Sequence, residues 1–188
     1  MERGALGSDF GDVLAAARAG SPVAFERLFR LLGPAVAGYL RAQGAQDPDD
    51  LAGDVFMRAF TGLAGFEGDE ARFRSWIFTI AHHRLIDDRR SRARRPRPVD
   101  GGEVPEPVDP GPGPEDAALR AIGDDWVERA LATLTPDQRD VLLLRIVADL
   151  TVEQVAITLT RPAAAVKALQ RRGLATLRRT LDRTGVPL

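Results

Sequence analysis

The side chains best placed to do chemistry lie in residues 71–95, ARFRSWIFTIAHHRLIDDRRSRARR. The residue types here argue against catalysis. His82 and His83 are adjacent, so a helix would splay them by about 100°, and no Cys or Asp/Glu stands at ligand spacing to complete a metal site. The chain has no cysteine at all, and no nucleophile-base set or glycine-rich phosphate loop can be found. Catalytic residues, metal and cofactor are therefore expected to be none. Cations are the conspicuous chemistry: Arg89 to Arg97 contains six arginines and no acid. Such a run repels itself unless it is solvated or laid against phosphate.

An arginine run that ends a helix can simply complement the helix dipole. A second basic stretch near the C-terminus favours the nucleic-acid reading. Taking Val166 as zero at about 100° per residue, Leu169, Gly173, Leu174, Leu177, Thr180 and Leu181 fall within roughly 80° on either side. Lys167, Ala168, Arg171, Arg172, Ala175, Arg178 and Arg179 occupy the opposite arc. Small side chains beside long cations suit a helix in a major groove, reaching guanine edges and phosphates.

Charge is distributed in blocks. Residues 1–70 carry −5, 71–98 carry +7, 99–140 carry −8 and 141–188 carry +5, leaving a net charge of −1. This alternation indicates two nucleic-acid faces on otherwise acidic modules. With 44% hydrophobic residues in 188, two small cores can be filled. The start of the chain lacks the apolar core of a signal peptide, and no uncharged run approaches the ~18 residues of a membrane span. A cysteine-free chain suits a reducing cytoplasm.

The elements that must position these residues read as helices. In the first half of residues 71–95, Phe73, Trp76, Ile77, Ile80 and Ala81 share one arc, and Ser75, Thr79 and His82 lie opposite, towards solvent. Upstream, a short helix around Asp12 to Ala19 precedes a Ser21-Pro22 cap. A helix with Phe25, Leu28, Phe29, Leu32, Val36, Tyr39 and Leu40 inward follows, kinked at Gly33-Pro34. Asp47-Pro48 repeats the cap and opens a helix with Leu51, Val55, Phe56, Ala59 and Phe60 inward and Asp49, Asp50, Asp54 and Arg58 outward. The loop 62–70 carries three glycines and places Phe66 and Asp69 beside whatever the basic helix binds.

Residues 96–114 hold seven prolines and four glycines and are expected to be an acidic linker, spanning on the order of 60 Å if extended. Beyond it, Ala118, Ile122, Trp126, Ala130 and Leu131 indicate a helix, broken near Gly123. Thr135-Pro136-Asp137-Gln138 and Thr151-Val152-Glu153-Gln154 are capping boxes. The first opens a helix expected to bury Val141, Leu142, Leu144, Ile146 and Val147. The second opens a helix of barely two turns. A turn at Thr160-Arg161 and a longer basic helix from Pro162 complete a helix-turn-helix outline. The expected fold is all-α: a helical domain over 1–95, the linker 96–114, and a helix-turn-helix domain over 115–188.

These motifs, in this order, resemble the bacterial RNA polymerase sigma factors of the extracytoplasmic-function group. Asp49-Asp50-Leu51-x-x-Asp54-Val55-Phe56-x-Arg58-Ala59-Phe60 is similar to the family's polymerase-clamp-binding helix. Phe73 to Arg90 is similar to its promoter-melting and −10-reading helix. Leu131-x-x-Leu134-x-Pro136-x-Gln138-Arg139 and Ala165-Val166-Lys167-Ala168-Leu169-x-x-Arg172 are similar to its −35-reading domain.

The resemblance implies a transcription initiation factor that binds core RNA polymerase, directs it to promoter DNA and opens the strands by binding alone. It assigns the −10 surface to Phe66, Asp69, Arg72, Arg74, Trp76, His82, Arg84, Arg89, Arg90 and Arg92. The −35 surface falls to Arg161, Lys167, Ala168, Arg171, Arg172 and Arg178. Polymerase contact falls to Asp49, Asp50, Asp54, Val55, Phe56 and Arg58. It also implies an inhibitory anti-sigma partner and a linker whose Asp100, Glu103, Glu106 and Asp109 mimic nucleic-acid charge in the polymerase's RNA path.

Three positions depart from the family pattern. Gly53 replaces a polar residue facing the clamp, which is expected to lower polymerase affinity. Thr160 replaces the turn glycine and Pro162 a serine cap, so the turn is expected to take another geometry, because threonine disfavours left-handed backbone. The competing reading is a helix-turn-helix repressor or activator that works without polymerase; it leaves the first 95 residues unexplained.

Overall fold

The computed structural model describes residues 6–94 and 126–184. The linker 96–114 and the expected break at Gly123 lie outside the described residues. Among those described, every regular element is helical: α1 (Phe10–Arg18), α2 (Pro22–Ala42), α3 (Pro48–Gly62), α4 (Glu70–Arg94), α5 over 126–132, α6 (Pro136–Ile146), α7 (Val152–Thr158) and α8 (Ala163–Thr184). No helix among them is long and apolar enough to cross a membrane.

Local chemistry sets most helix starts. Ser21 caps α2 by accepting the Ala24 N–H at 3.4 Å. Pro34 sits inside α2 without ending it. Its missing donor costs one bond, while Leu32 and Val36 on either side are fully buried and offset that loss by packing. Asp47 departs from expectation, since its side chain makes no cap bond. Helix α4 is capped by Asp69, which accepts the Arg72 N–H at 2.8 Å. Glu70 beside it accepts the backbone N–H groups of Leu6 and Gly7 at 3.0 and 3.1 Å and ties the N-terminal turn to α4.

Helix α4 packs on α2 and α3 through Phe73, Ile77, Ala81 and Leu85, all fully buried. The buried arc is wider than the amphipathic pattern indicates. Phe78 is fully buried and His82 is 6% exposed, while Trp76 and Ile80 are only partly covered. The cause is a second packing partner: α7 lies on α4, and α6 on α2. The face that periodicity assigns to solvent is therefore covered by the C-terminal domain. Tyr39 of α2 meets Phe78 edge-on at 5.7 Å along this seam. Phe29, expected inward, is 44% exposed and touches Phe56 edge-on at 4.8 Å.

Both capping boxes form. Thr135 accepts from the Gln138 N–H and Gln138 accepts from the Thr135 N–H at 3.4 and 3.2 Å; Thr151 and Gln154 do the same at 3.2 and 2.7 Å. Helix α6 buries Val141 to Leu144. Leu143 replaces Ile146, which is 52% exposed, because α6 is covered both by α8 and by α2. Gly173 lets α8 approach closely: a β-carbon there would lie 2.8 Å from Leu142 Cδ1.

The turn between α7 and α8 overturns the expectation for Thr160. It adopts the left-handed conformation, φ +51°. The Arg161 N–H donates to the Ala156 carbonyl at 2.9 Å and the Thr160 N–H to that of Ile157 at 3.1 Å, the Schellman closure that glycine usually supplies. The carbonyls satisfied by this turn outweigh the steric strain of a β-branched residue there. Pro162 then lends only its carbonyl to Val166, at 3.1 Å. Left-handed backbone costs a non-glycine residue about 1–2 kcal/mol, part of which glycine returns as unfolded-chain entropy. Thr160→Gly should therefore raise stability by about 0.5–1 kcal/mol in urea denaturation, and an unchanged or lower midpoint would refute a left-handed turn.

Candidate nucleic-acid and polymerase interface

The α8 surface is the simplest part of the site. Val166, Leu169 and Gly173 are buried, which fixes the helix's rotation and leaves Lys167, Arg171, Arg172 and Arg178 exposed on the far side, with Ala168 half-buried. Leu174, expected inward, is 45% exposed at the edge of this arc. Arg161 in the turn is held by Asp137 at 2.7 Å. Four cations on one helix face behind a two-helix motif make a surface for a polyanion.

On α3, Asp49, Asp50, Asp54 and Arg58 are exposed, whereas Val55 and Phe56 are buried at 0% and 2%. The last two anchor the acidic face and offer no surface for a partner to touch. Asp49 pairs with Arg41 at 3.4 Å, and Asp54 with Arg84 at 2.6 Å. A β-carbon at Gly53 would meet nothing within 4 Å, so there is room for a side chain at this position.

The α4 surface is less free than its composition indicates. Phe66 is 8% exposed, stacked on Trp76 at 5.0 Å and edge-on to Phe73 at 5.4 Å, so this ring belongs to the core and is no loose loop aromatic. Asp69 is spent as the α4 cap. Arg84 is paired with Asp54 and Arg92 with Asp88. Arg89 donates to the Gln43 carbonyl and to its side-chain oxygen at 3.1 Å. Arg72 and Arg90 are exposed and Arg74 half-buried. His82, read as solvent-facing, is buried and lies within hydrogen-bond distance of Tyr39 of α2.

Around His82 lies a polar junction that the sequence pattern does not disclose. Tyr39 Oη and His82 Nδ1 are 3.0 Å apart. Gln43 donates to Asp140 at 2.6 Å, joining α2 to α6. Thr79 and Thr158 exchange a hydroxyl bond at 2.8 Å, and Gln154 donates to the Ala71 carbonyl at 3.3 Å. Burial, then the carboxylate of Asp140, push the Tyr39 phenol far above its ordinary range. The phenol therefore keeps its proton within hydrogen-bond distance of the His82 ring nitrogen. Burial chiefly, with His83 and Arg89, holds His82 below the usual histidine value against the opposing pull of Asp140. The one available signal was Thr158 itself, a polar residue in the inward register of α7.

The paired helical domains, one bearing an acidic helix beside a basic one and the other a helix-turn-helix with a cationic second helix, define a two-part helical protein with surfaces suited to a polyanion. The sigma-70 region 2 family matches residues 28–95, and sigma-70 region 4 matches residues 130–179. The chain is 33% identical to the ECF RNA polymerase sigma factor ShbA of Streptomyces griseus over 132 residues, 69% of each chain. It is 31% identical to the ECF RNA polymerase sigma factor RpoE of Cereibacter sphaeroides, over 85% of this chain and 87% of that one. BldN of Streptomyces coelicolor is 30% identical over 88% of this chain, which spans 63% of BldN's own length. Among solved structures, CnrH in complex with the cytosolic domain of CnrY superposes with a TM-score of 0.68 at 25% identity, covering 94% of this chain and 99% of that one. This chain belongs to the ECF RNA polymerase sigma factors.

The junction makes stability depend on pH. His82 has a lowered folded-state pKa, so its contribution is complete above the unfolded value near 6.5 and is lost as pH falls through the folded value. Stability should drop by up to about 1.4 kcal/mol per pH unit below roughly 6.5. Urea titrations at pH 7.5, 6.5 and 5.5 should show this slope in the native chain and lose it in His82→Gln; equal slopes would show that His82 is not the group responsible.

Proposed function

We propose that this alternative sigma factor binds the polymerase clamp through the exposed acidic face of α3, reads and melts −10 DNA with α4, and reads −35 DNA with α8. The observation that carries the reading is the α8 face, where Lys167, Arg171, Arg172 and Arg178 are exposed together on a helix whose rotation is fixed by buried Val166, Leu169 and Gly173. Strand opening would be driven by binding free energy alone, with unpaired bases trapped beside Trp76 and the exposed Arg72 and Arg90. Phe66 acts from beneath by supporting Trp76. Asp49, Asp50, Asp54 and Arg58 supply the polymerase face, and Val55 and Phe56 hold that face in place. Domains over 1–95 and 115–188, joined by the acidic linker 96–114, allow one chain to reach two promoter elements, which lie more than one helical turn of roughly 34 Å apart.

The factor works in the cytoplasm, where polymerase and DNA meet. Its relationship to CnrH, whose structure is a complex with the cytosolic domain of CnrY, supports a protein partner that holds it inactive as an anti-sigma factor.

Run-off transcription with purified core polymerase on genomic promoter fragments tests the reading. Discrete start sites should appear only when the chain is added. A gel shift of duplex DNA without polymerase, and no dependent transcripts, would favour a repressor. Arg171→Ala and Arg172→Ala should each weaken promoter selectivity by about 1–3 kcal/mol in competition binding of the holoenzyme. Equal losses on random DNA would make them phosphate contacts.

A further inference from the structure

Residues 6–18 belong to none of the surfaces assigned above, yet they hold the loop between α3 and α4 at both of its ends. At the entry, Arg18 of α1 donates through Nε to the Leu63 carbonyl at 3.4 Å. The same carbonyl accepts the Phe66 N–H at 3.1 Å and so closes the turn that follows α3. At the exit, Oε2 of Glu70 accepts the N–H groups of Leu6 and Gly7 at 3.0 and 3.1 Å. Leu6 is right-handed and Gly7 left-handed, at φ +55°. That alternation turns two successive N–H groups towards one point and makes a backbone nest for an anion. The anion here is the carboxylate with which α4 begins.

Between these two ties runs a line of rings. Phe10 of α1 lies 5.6 Å from Phe73, Phe66 of the loop lies 5.4 Å from Phe73, and Trp76 stacks on Phe66 at 5.0 Å. Phe10, Phe66 and Phe73 are buried, whereas Trp76 is only half-buried. The one ring of the series that reaches solvent therefore stands on three that do not, and the deepest support comes from α1. The loop itself lies close against α4. A β-carbon at Gly62 would sit 3.3 Å from the Trp76 ring, and one at Gly68 would sit 2.8 Å from Arg72 and 3.2 Å from the Phe66 ring. Glu67, Gly68 and Asp69 are left exposed at its tip.

We propose that residues 6–18 are a brace for the base trap: Arg18, Phe10 and the Leu6–Gly7 nest that holds Glu70 are positioning elements that fix the 63–69 loop and Trp76 before DNA arrives. The proposal rests on the reading of α4 and its loop as the −10 surface. A loop without these ties has to be ordered as it receives an unpaired base, and that ordering weakens binding. A braced loop meets the base already in place. None of these groups lies on the acidic face of α3 or on α8, so their loss falls on −10 reading and leaves polymerase contact and −35 reading as they were.

Full-length chain assembled with core polymerase is given a genomic promoter fragment mapped by run-off transcription, and two versions of it scrambled in the −10 or in the −35 segment. Discrimination is the ratio of holoenzyme affinities for the intact and each scrambled fragment, and melting is read from permanganate reactivity of unpaired thymines. Glu70→Ala and Arg18→Gln remove polar contacts and leave the apolar core whole. Each should lower −10 discrimination about tenfold, the size expected when one or two side chains must be ordered on binding. Permanganate reactivity should fall with it, while −35 discrimination stays as in the native factor. Glu70→Gln keeps an oxygen for the two N–H groups and should recover part of the loss. Unchanged −10 discrimination in either variant would overturn the proposal, as would Glu70→Gln being as defective as Glu70→Ala. Equal losses at −10 and −35 would also overturn it, since they mark a chain that is merely less stable. A native factor that cannot tell the −10-scrambled fragment from the intact one sinks the reading of α4 itself; native discrimination that the variants retain sinks the brace alone.

Discussion

The structure depends on α4 being packed from two sides at once. Phe73, Ile77, Ala81 and Leu85 bind it to α2 and α3, and the opposite flank, with Thr79 and His82, meets the C-terminal domain. A helix so enclosed has its rotation and height fixed over most of its length. Its rigidity carries outward to Arg89, Arg90 and Arg92 in the last turns, whose directions follow from the packed turns before them. Preorganised cations bind a polyanion without first losing side-chain and backbone freedom.

The same enclosure explains where the sequence was legible and where it misled. Both capping boxes, the Ser21 cap, the rotation of α8 and the acidic outer face of α3 followed from local chemistry and periodicity, because one partner surface decides each of them. The exposure of α4 did not follow, because periodicity finds the face packed within a domain and is blind to a second domain arriving on a polar flank. Thr79 looks like a solvent-facing residue until Thr158 is brought beside it from 79 positions away, and His82 is buried against Tyr39. Leu143 and Ile146 exchanged roles for the same reason. Thr160 erred in the other direction: intrinsic preference spoke against a left-handed turn, and the closure of α7's last carbonyls prevailed.

Charge counting overstated the nucleic-acid surface. Several arginines in the basic blocks serve as internal fasteners: Arg84 on Asp54, Arg92 on Asp88, Arg145 on the Leu150 carbonyl and Arg161 on Asp137. Guanidinium groups suit this work because a planar fork satisfies carboxylates and helix-end carbonyls with little hydration to give up. Lys167, the only lysine of the chain, stands by contrast on the exposed face of α8. A run of arginines therefore marks where a basic surface begins, and the acids and carbonyls folded against it decide how much of that charge a partner ever meets.

The missing side chain at Gly173 lets α8 press against Leu142 so closely that a single methyl group would collide. The helix that touches α2, α6, is thus the same helix on which the cationic α8 is seated.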